Sequence, residues 1–204
     1  LAEFAKRKLV SDHPPIVACG HHSADPHYSP EGKGDLIIRE RILQLDLWAK
    51  EAAVDNSIYA DISWVFYTGA VVPDTEAKVF DAVVSARDAV IQFLNRELPE
   101  RTISGSEADQ ISRRVLIEKG FENYIKHRTG HGIDTLCHGY GVNLDSVEFP
   151  DTRPFMQGSC FSVEPGLYLE EFGMRTEINI CIDNNHAVVT GGPMQTVICP
   201  LVLA

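Results

Sequence analysis

"GSCFSVEPGLYLEEFGMRTEINICI", residues 158–182, decides how this chain is read. It has the alternation of a β-hairpin, with strands expected over Ser159–Leu169 and Met174–Ile182. Two carboxylates interrupt it. Strand side chains alternate faces, so Glu164 lies with Ser162 and away from Phe161 and Val163. By the same parity Glu177 lies with Arg175 and Asn179, opposite Ile178, Ile180 and Ile182. Both acids fall on the polar side.

Two more acids follow the same rule. In the strand expected over Asp35–Trp48, Asp46 shares a face with Gln44 and opposes Leu43, Leu45 and Leu47. In Ala60–Tyr67, Asp61 shares a face with Ser63 and opposes Ile62, Trp64 and Phe66. A polar strand face ordinarily meets water. If helices cover the apolar side of one curved sheet, however, the four acids converge on its concave side, where they repel one another and lose hydration. Two divalent cations would resolve that conflict. Carboxylate oxygens with an imidazole suit manganese, iron, cobalt or zinc. The imidazole is expected from "HRTGHGIDTLCHGYG", residues 127–141, where Gly130 and Gly132 let the backbone around His131 approach a site closely. His138, seven residues on, can reach the same cavity. His13, His21, His22, His127 and His186 are read as structural or exposed.

Composition bounds the rest. With 204 residues, 44% hydrophobic and 23% charged, the chain can bury one substantial core and is expected to be a single domain. A net charge of -11 excludes the basic face that tracking nucleic-acid phosphates requires. No apolar run approaches the roughly 20 residues needed to span a bilayer, and the start at Leu1 has no signal- or transit-peptide pattern, so a soluble cytoplasmic protein is expected. Five cysteines without a CxxC pair are read as free thiols rather than a disulfide framework or thiolate zinc site.

The spacing predicts a helix from Asp74 to about Leu98, capped by Asp74 and ended by Pro99. A second is predicted from Ser106 to Lys119, with Ser106 and Asp109 spaced as a capping box and Gly120 as the stop. Short strands are expected at Ala187–Val189 and Thr196–Cys199, which makes the class α+β. "ISRRVLIEKGFENYIKHRTGHG" (111–132) repeats the pattern of "LAEFAKRKLVSDHPPIVACGHH" (1–22): a helix end, a short strand, then Gly-His. The chain therefore reads as two related halves joined near residues 98–102. The first lacks a counterpart to the Asp74 helix, so a C-terminal fragment is expected.

Asp46, "YADIS" with Asp61, "TGHGID" with His131, "VEPGLYL" with Glu164 and "RTE" with Glu177 occur in a telling order. From about Ile16 to Val197 the chain resembles the catalytic domain of Xaa-Pro peptidases and prolidases, in the pita-bread superfamily with methionine aminopeptidase and creatinase. The resemblance implies two pseudo-symmetric halves with a curved antiparallel sheet under helices. It also implies a two-metal exopeptidase cleaving before a proline in second position, with manganese favoured over cobalt, zinc or iron. Asp46 would chelate one ion, Asp61 and Glu177 would bridge both, and His131 and Glu164 would complete the other. Glu164 would also carry protons, as general base and then acid. His138 would donate to the substrate carbonyl or its oxyanion. His27, in "DPHYSP", would line the substrate side, and Arg175 would hold Glu177. Homodimers are common in the family, and its members usually carry a separate N-terminal domain. The two aspartates stand fifteen residues apart rather than the usual eleven or so, Gly139 replaces a frequent acid, and Trp64 a frequent arginine. Those departures bear on substrate preference more than on the metals. Retention of all five ligands argues against creatinase chemistry and against a non-catalytic peptide-binding module, and "EPGLY" and "PHY" rank a methionine aminopeptidase second.

Overall fold

The computed structural model describes residues 1–30 and 34–203. The element order is α1 (Ala2–Lys6), β1 (Leu9–Val10), β2 (Ile16–Cys19), β3 (Ile42–Glu51), β4 (Ala60–Tyr67), α2 (Asp74–Glu97), α3 (Gly105–Glu118), β5 (Cys160–Val163), β6 (Gly166–Tyr168), β7 (Gly173–Arg175), β8 (Ile178–Asp183), β9 (His186–Thr190) and β10 (Cys199–Pro200). The α+β class holds. The long helix matches its predicted span, although Pro73 occupies the cap position and Asp74 is already helical.

The cap of α3 differs from the expectation. Ser104 accepts from the Glu107 N–H, while the Glu107 carboxylate returns to the Ser104 N–H, so the box lies two residues earlier than Ser106 and Asp109. Asp109 is instead a buried acceptor within the helix, held by Thr129, Arg113 and Ser146. The strand expected from Asp35 begins only at Ile42, because Thr68 Oγ1 ties off Ile38 and Arg41 and Glu40 adopts a positive φ of 57°. It then runs past Trp48 to Glu51, where β1 pairs with it.

The opening hairpin is two ladders rather than one. β5 pairs with β8 and β6 with β7, and the pairing lapses at Glu164–Pro165 opposite Thr176–Glu177. Val163 faces Ile178 on one side of the gap and Gly166 faces Arg175 on the other, so the register is unbroken and Glu164 stands opposite Glu177. Proline lacks the N–H that a continuous ladder would need there.

Nor is there one continuous antiparallel sheet. Strands β1 to β4 form one sheet with β10, which runs parallel to β4; β5, β8 and β9 form a second, and β6 and β7 a third. Side-chain amides imitate ladder bonds between the two halves. Gln44 exchanges bonds with the backbone of Arg175 at 2.8 and 3.1 Å, and Asn179 with that of Asp61 at 2.8 and 2.7 Å. Gln195 does the same for Val65. Each amide matches one donor and one acceptor, as a backbone unit would.

The two halves also differ in how their apolar faces are covered. Phe161, Val163, Ile178, Ile180 and Ile182 are buried with Val90, Phe93 and Leu94 of α2. Ile62, Trp64 and Phe66 are only partly buried, whereas the face bearing Asp61, Ser63, Val65 and Tyr67 is the sealed one. Val65 and Tyr67 pack with Phe80 and Val83 of α2, so polarity alone misjudged which side of β4 faces inward.

Candidate metal centre

Five side chains from four parts of the chain meet in a cavity of about 140 Å³. β3 brings Asp46, β4 brings Asp61, and the gap in the hairpin brings Glu164 and Glu177. The glycine-rich segment brings His131. A Cβ on Gly130 would lie 2.1 Å from the Ser162 carbonyl oxygen, and one on Gly132 would lie 2.6 Å from the Gly141 backbone. Only glycine allows this segment to press against β5 and aim the imidazole inward.

Three overlapping groups bring ligand atoms within 4.8 Å of one another: Asp46, Asp61 and Glu177; His131, Glu164 and Glu177; and Asp61, His131 and Cys137. His131 Nδ1 faces the Gly132 carbonyl at 3.2 Å and so carries its proton there. Burial lowers the pKa of this ring, but Asp61 and Glu164 outweigh it and raise it; Nε2 lies 3.3 Å from Glu164 and 3.6 Å from Asp61, where it would offer its lone pair to a cation that displaces its proton. Asp46 Oδ1, Asp61 Oδ1 and Glu177 Oε1 are buried without a hydrogen-bond partner among the described residues. Buried acceptors are normally satisfied, so an unpartnered oxygen on each of three acids whose ligand atoms lie within 4.8 Å of one another fits a cation.

The electrostatics agree. Burial first, then Asp61 and Glu164, drives the Glu177 carboxyl well above its ordinary value. Burial also pushes Asp46 up, and the pull of Arg175 does not fully offset it. Burial works the same way on Glu164, but His131 and Arg175 outweigh it and hold this carboxyl low. The facing pair is therefore unequal. Glu177 is 3% exposed; the Glu164 side chain keeps 15% of its surface open toward the cavity.

Arg175 does not clasp Glu177 as expected. Its Nη2 pairs with Asp46, its Nη1 donates to Tyr168 at 2.7 Å, and its Nε donates to Ser63 Oγ at 3.1 Å. Ser63 in turn donates to Glu177 at 3.0 Å, so the guanidinium reaches Glu177 only through this hydroxyl. The register explains it, since Ser63 stands opposite Asp46. The His138 ring lies tilted at 36° against that of His131 with ring centres 4.2 Å apart, and His27 lines the same cavity.

Two residues at the site escaped the sequence reading. His127 was set aside as structural or exposed, yet it borders the cavity. Its Nδ1 donates to the Arg128 carbonyl at 2.6 Å, so Nε2 accepts the Tyr168 hydroxyl, also at 2.6 Å. Burial lowers its pKa to about 4 and keeps it neutral. Tyr168 thus accepts from Arg175 and donates to His127, one fully paired chain. Cys137 was read only as a free thiol; it is buried and donates to Asp61 Oδ2 at 3.0 Å. Its place just before His138 was the available signal.

Known proteins share this fold. An Xaa-Pro dipeptidase structure from Bacillus anthracis superposes with a TM-score of 0.80 at 26% identity, covering 97% of this chain and 51% of that one. A dipeptidase from Mycobacterium ulcerans gives 0.82 at 24% identity, over 98% of this chain and 50% of that one, a likeness of fold. In sequence, an uncharacterised peptidase of Staphylococcus saprophyticus is 29% identical over 180 residues, 86% of this chain and 46% of that protein. The Xaa-Pro dipeptidase of Pyrococcus furiosus is 26% identical over 177 residues, 84% and 45% respectively. The chain spans about half the length of the relatives it matches. The fold is the pita-bread fold of prolidases, and the sequence model of metallopeptidase family M24 matches residues 1–184. The chain belongs to metallopeptidase family M24.

Proposed function

We propose that the protein is a metal-dependent exopeptidase that hydrolyses the bond between an N-terminal residue and proline. The observation that carries the reading is the set of three buried acids, each with an unpartnered oxygen, gathered with His131 and Glu164 in overlapping ligand groups around one cavity. The likeness to an Xaa-Pro dipeptidase over 84% of the chain supports the substrate class. Asp46, Asp61, Glu177, His131 and Glu164 would hold two divalent cations, which when bound lower the pKa of water and polarise a carbonyl.

The chain's own residues do the rest. Glu164, held low by His131 and Arg175 and open to the cavity, is the carboxylate that can take a proton from attacking water and give it to the leaving amine. Glu177, sealed and braced by Ser63, holds charge in place and moves no proton. His138, tilted against His131, offers a ring nitrogen to the substrate oxygen as negative charge grows on it. Arg175, Tyr168 and His127 form a fixed chain that keeps Asp46 and the cavity wall in register. His27 flanks the peptide.

The test is a panel of peptides with and without proline in second position, offered to the metal-free protein reloaded with manganese, cobalt, zinc or iron. Mass spectrometry should show release of the N-terminal residue from the proline peptides alone. Equal cleavage of both sets would overturn the proline specificity, and no cleavage with any metal would overturn the activity.

A further inference from the structure

The third potential ligand group is unlike the other two because it contains sulfur. Cys137 Sγ, Asp61 and His131 present their ligand atoms within 4.8 Å of one another, and the thiol is 1% exposed. It packs in a small apolar cluster with Tyr59 and Ile133, with Trp48 alongside. Its one polar contact is Asp61 Oδ2 at 3.0 Å, the same oxygen that lies 3.6 Å from His131 Nε2. The other Asp61 oxygen is buried without a partner in a residue 4% exposed, an independent sign that a cation belongs at this corner.

We propose that Cys137 is a sulfur ligand of the cation held by Asp61 and His131, and that it biases this position toward zinc or cobalt over manganese. The inference rests on the reading of the cavity as a metal centre. As a ligand the sulfur would be the thiolate, its proton released to solvent on binding. No electrons are transferred. Thiolate favours borderline-soft ions, whereas an all-oxygen and imidazole set leaves manganese competitive. The alternative role for the same geometry is a weak S–H bond that positions Asp61 without touching metal.

Cobalt(II) separates the two. The protein is stripped by chelation, reloaded with cobalt, assayed for bound cobalt and examined by near-ultraviolet absorption. The wild type should show a sulfur-to-cobalt charge-transfer band. Cys137→Ser, which keeps a hydroxyl toward Asp61, should lose that band at equal cobalt content, and Cys160→Ser should keep it. In zinc–manganese competition, Cys137→Ser should shift toward manganese by about tenfold. Bound cobalt without the band in the wild type would overturn the sulfur ligand and leave the metal centre standing. A band that survives in Cys137→Ser would do the same. Failure of the wild type to bind cobalt would overturn the centre and this inference together. If Cys137→Ser does not fold, the wild-type spectrum alone decides.

Discussion

The protein buries acids in two places, and it treats them in opposite ways. On α3, Asp109 accepts from Thr129 N–H and Oγ1, Arg113 Nε, and Ser146 N–H and Oγ. Asp145 accepts from the N–H groups of Val147, Glu148 and Phe149. Both are 0% exposed, and both have every carboxylate oxygen satisfied. In the cavity, Asp46, Asp61 and Glu177 are almost as buried, yet each keeps one oxygen without a partner. Burial alone therefore does not mark a functional acid; burial with unspent acceptor capacity does. The first set spends its charge on backbone donors and fixes loops, and the second holds its charge for something that must come from outside.

The largest effect expected from breaking this contrast is catalytic. Glu164→Gln keeps the size of the side chain and removes its proton chemistry, so turnover of an Xaa-Pro peptide should fall by roughly 10²- to 10⁴-fold while the melting temperature changes little. Steady-state assays beside thermal melts check this; unchanged turnover would show that the exposed member of the facing pair is not the proton carrier. Asp109→Ala should do the reverse. It strands Arg113 and four other donor groups beneath α3, and should cost about 3–5 kcal/mol in urea unfolding. A loss under ~1 kcal/mol would mean that water replaces those bonds cheaply.

A smaller effect of opposite sign is expected at Glu177. Its folded-state pKa lies above its unfolded one, so the folded protein keeps this proton longer. The stability of the metal-free protein should then fall as pH rises from the ordinary carboxylate range through the raised value. Glu177→Gln should flatten that part of the curve and stabilise the metal-free protein above it, while weakening the rise in melting temperature that manganese or zinc gives the wild type. Thermal melts against pH, with and without metal, read both consequences.

This contrast explains what the sequence made legible. Parity grouped Asp46 with Gln44 and Asp61 with Ser63, because alternation is a local property of a strand and needs no knowledge of what packs on it. The same parity holds across the hairpin gap, since the register carries through it and leaves Glu164 facing Glu177. The gap itself was not legible, because it depends on how Pro165 and the Ser63 carbonyl meet the opposite strand. The resemblance implies that Arg175 holds Glu177, two residues on, but a guanidinium is long enough to choose its partner in space, and Asp46 lies across the sheet. His127 and Cys137 were missed for a similar reason: their partners, Tyr168 and Asp61, stand 41 and 76 residues away. Asp109 was mistaken for a cap residue because the serine–acid spacing of Ser106 and Asp109 is the same as that of Ser104 and Glu107, the pair that forms the box. What decided between them was which acid had tertiary donors waiting.

The smallest effect tests the satisfied set where it is nearest to solvent. Asp151 accepts from the N–H groups of Asn143 and Arg153 and pairs with the Arg153 guanidinium, while its own carbonyl receives the Ser106 N–H at the start of α3. Burial works against its charge, but Arg153 and the two backbone donors outweigh it and hold the carboxyl below its ordinary value. The stability it contributes is therefore present above the unfolded carboxyl pKa and is lost as pH falls through the lower, folded one. Asp151→Asn should cost about 1 kcal/mol near neutral pH, because it keeps an acceptor oxygen and gives up the charge. Its stability curve should converge on that of the wild type as the pH drops, where both side chains are neutral. Curves that stay parallel into acid would mean that Asp151 acts through shape alone, and the distinction between spent and unspent carboxylate charge would then stop at the fully buried acids.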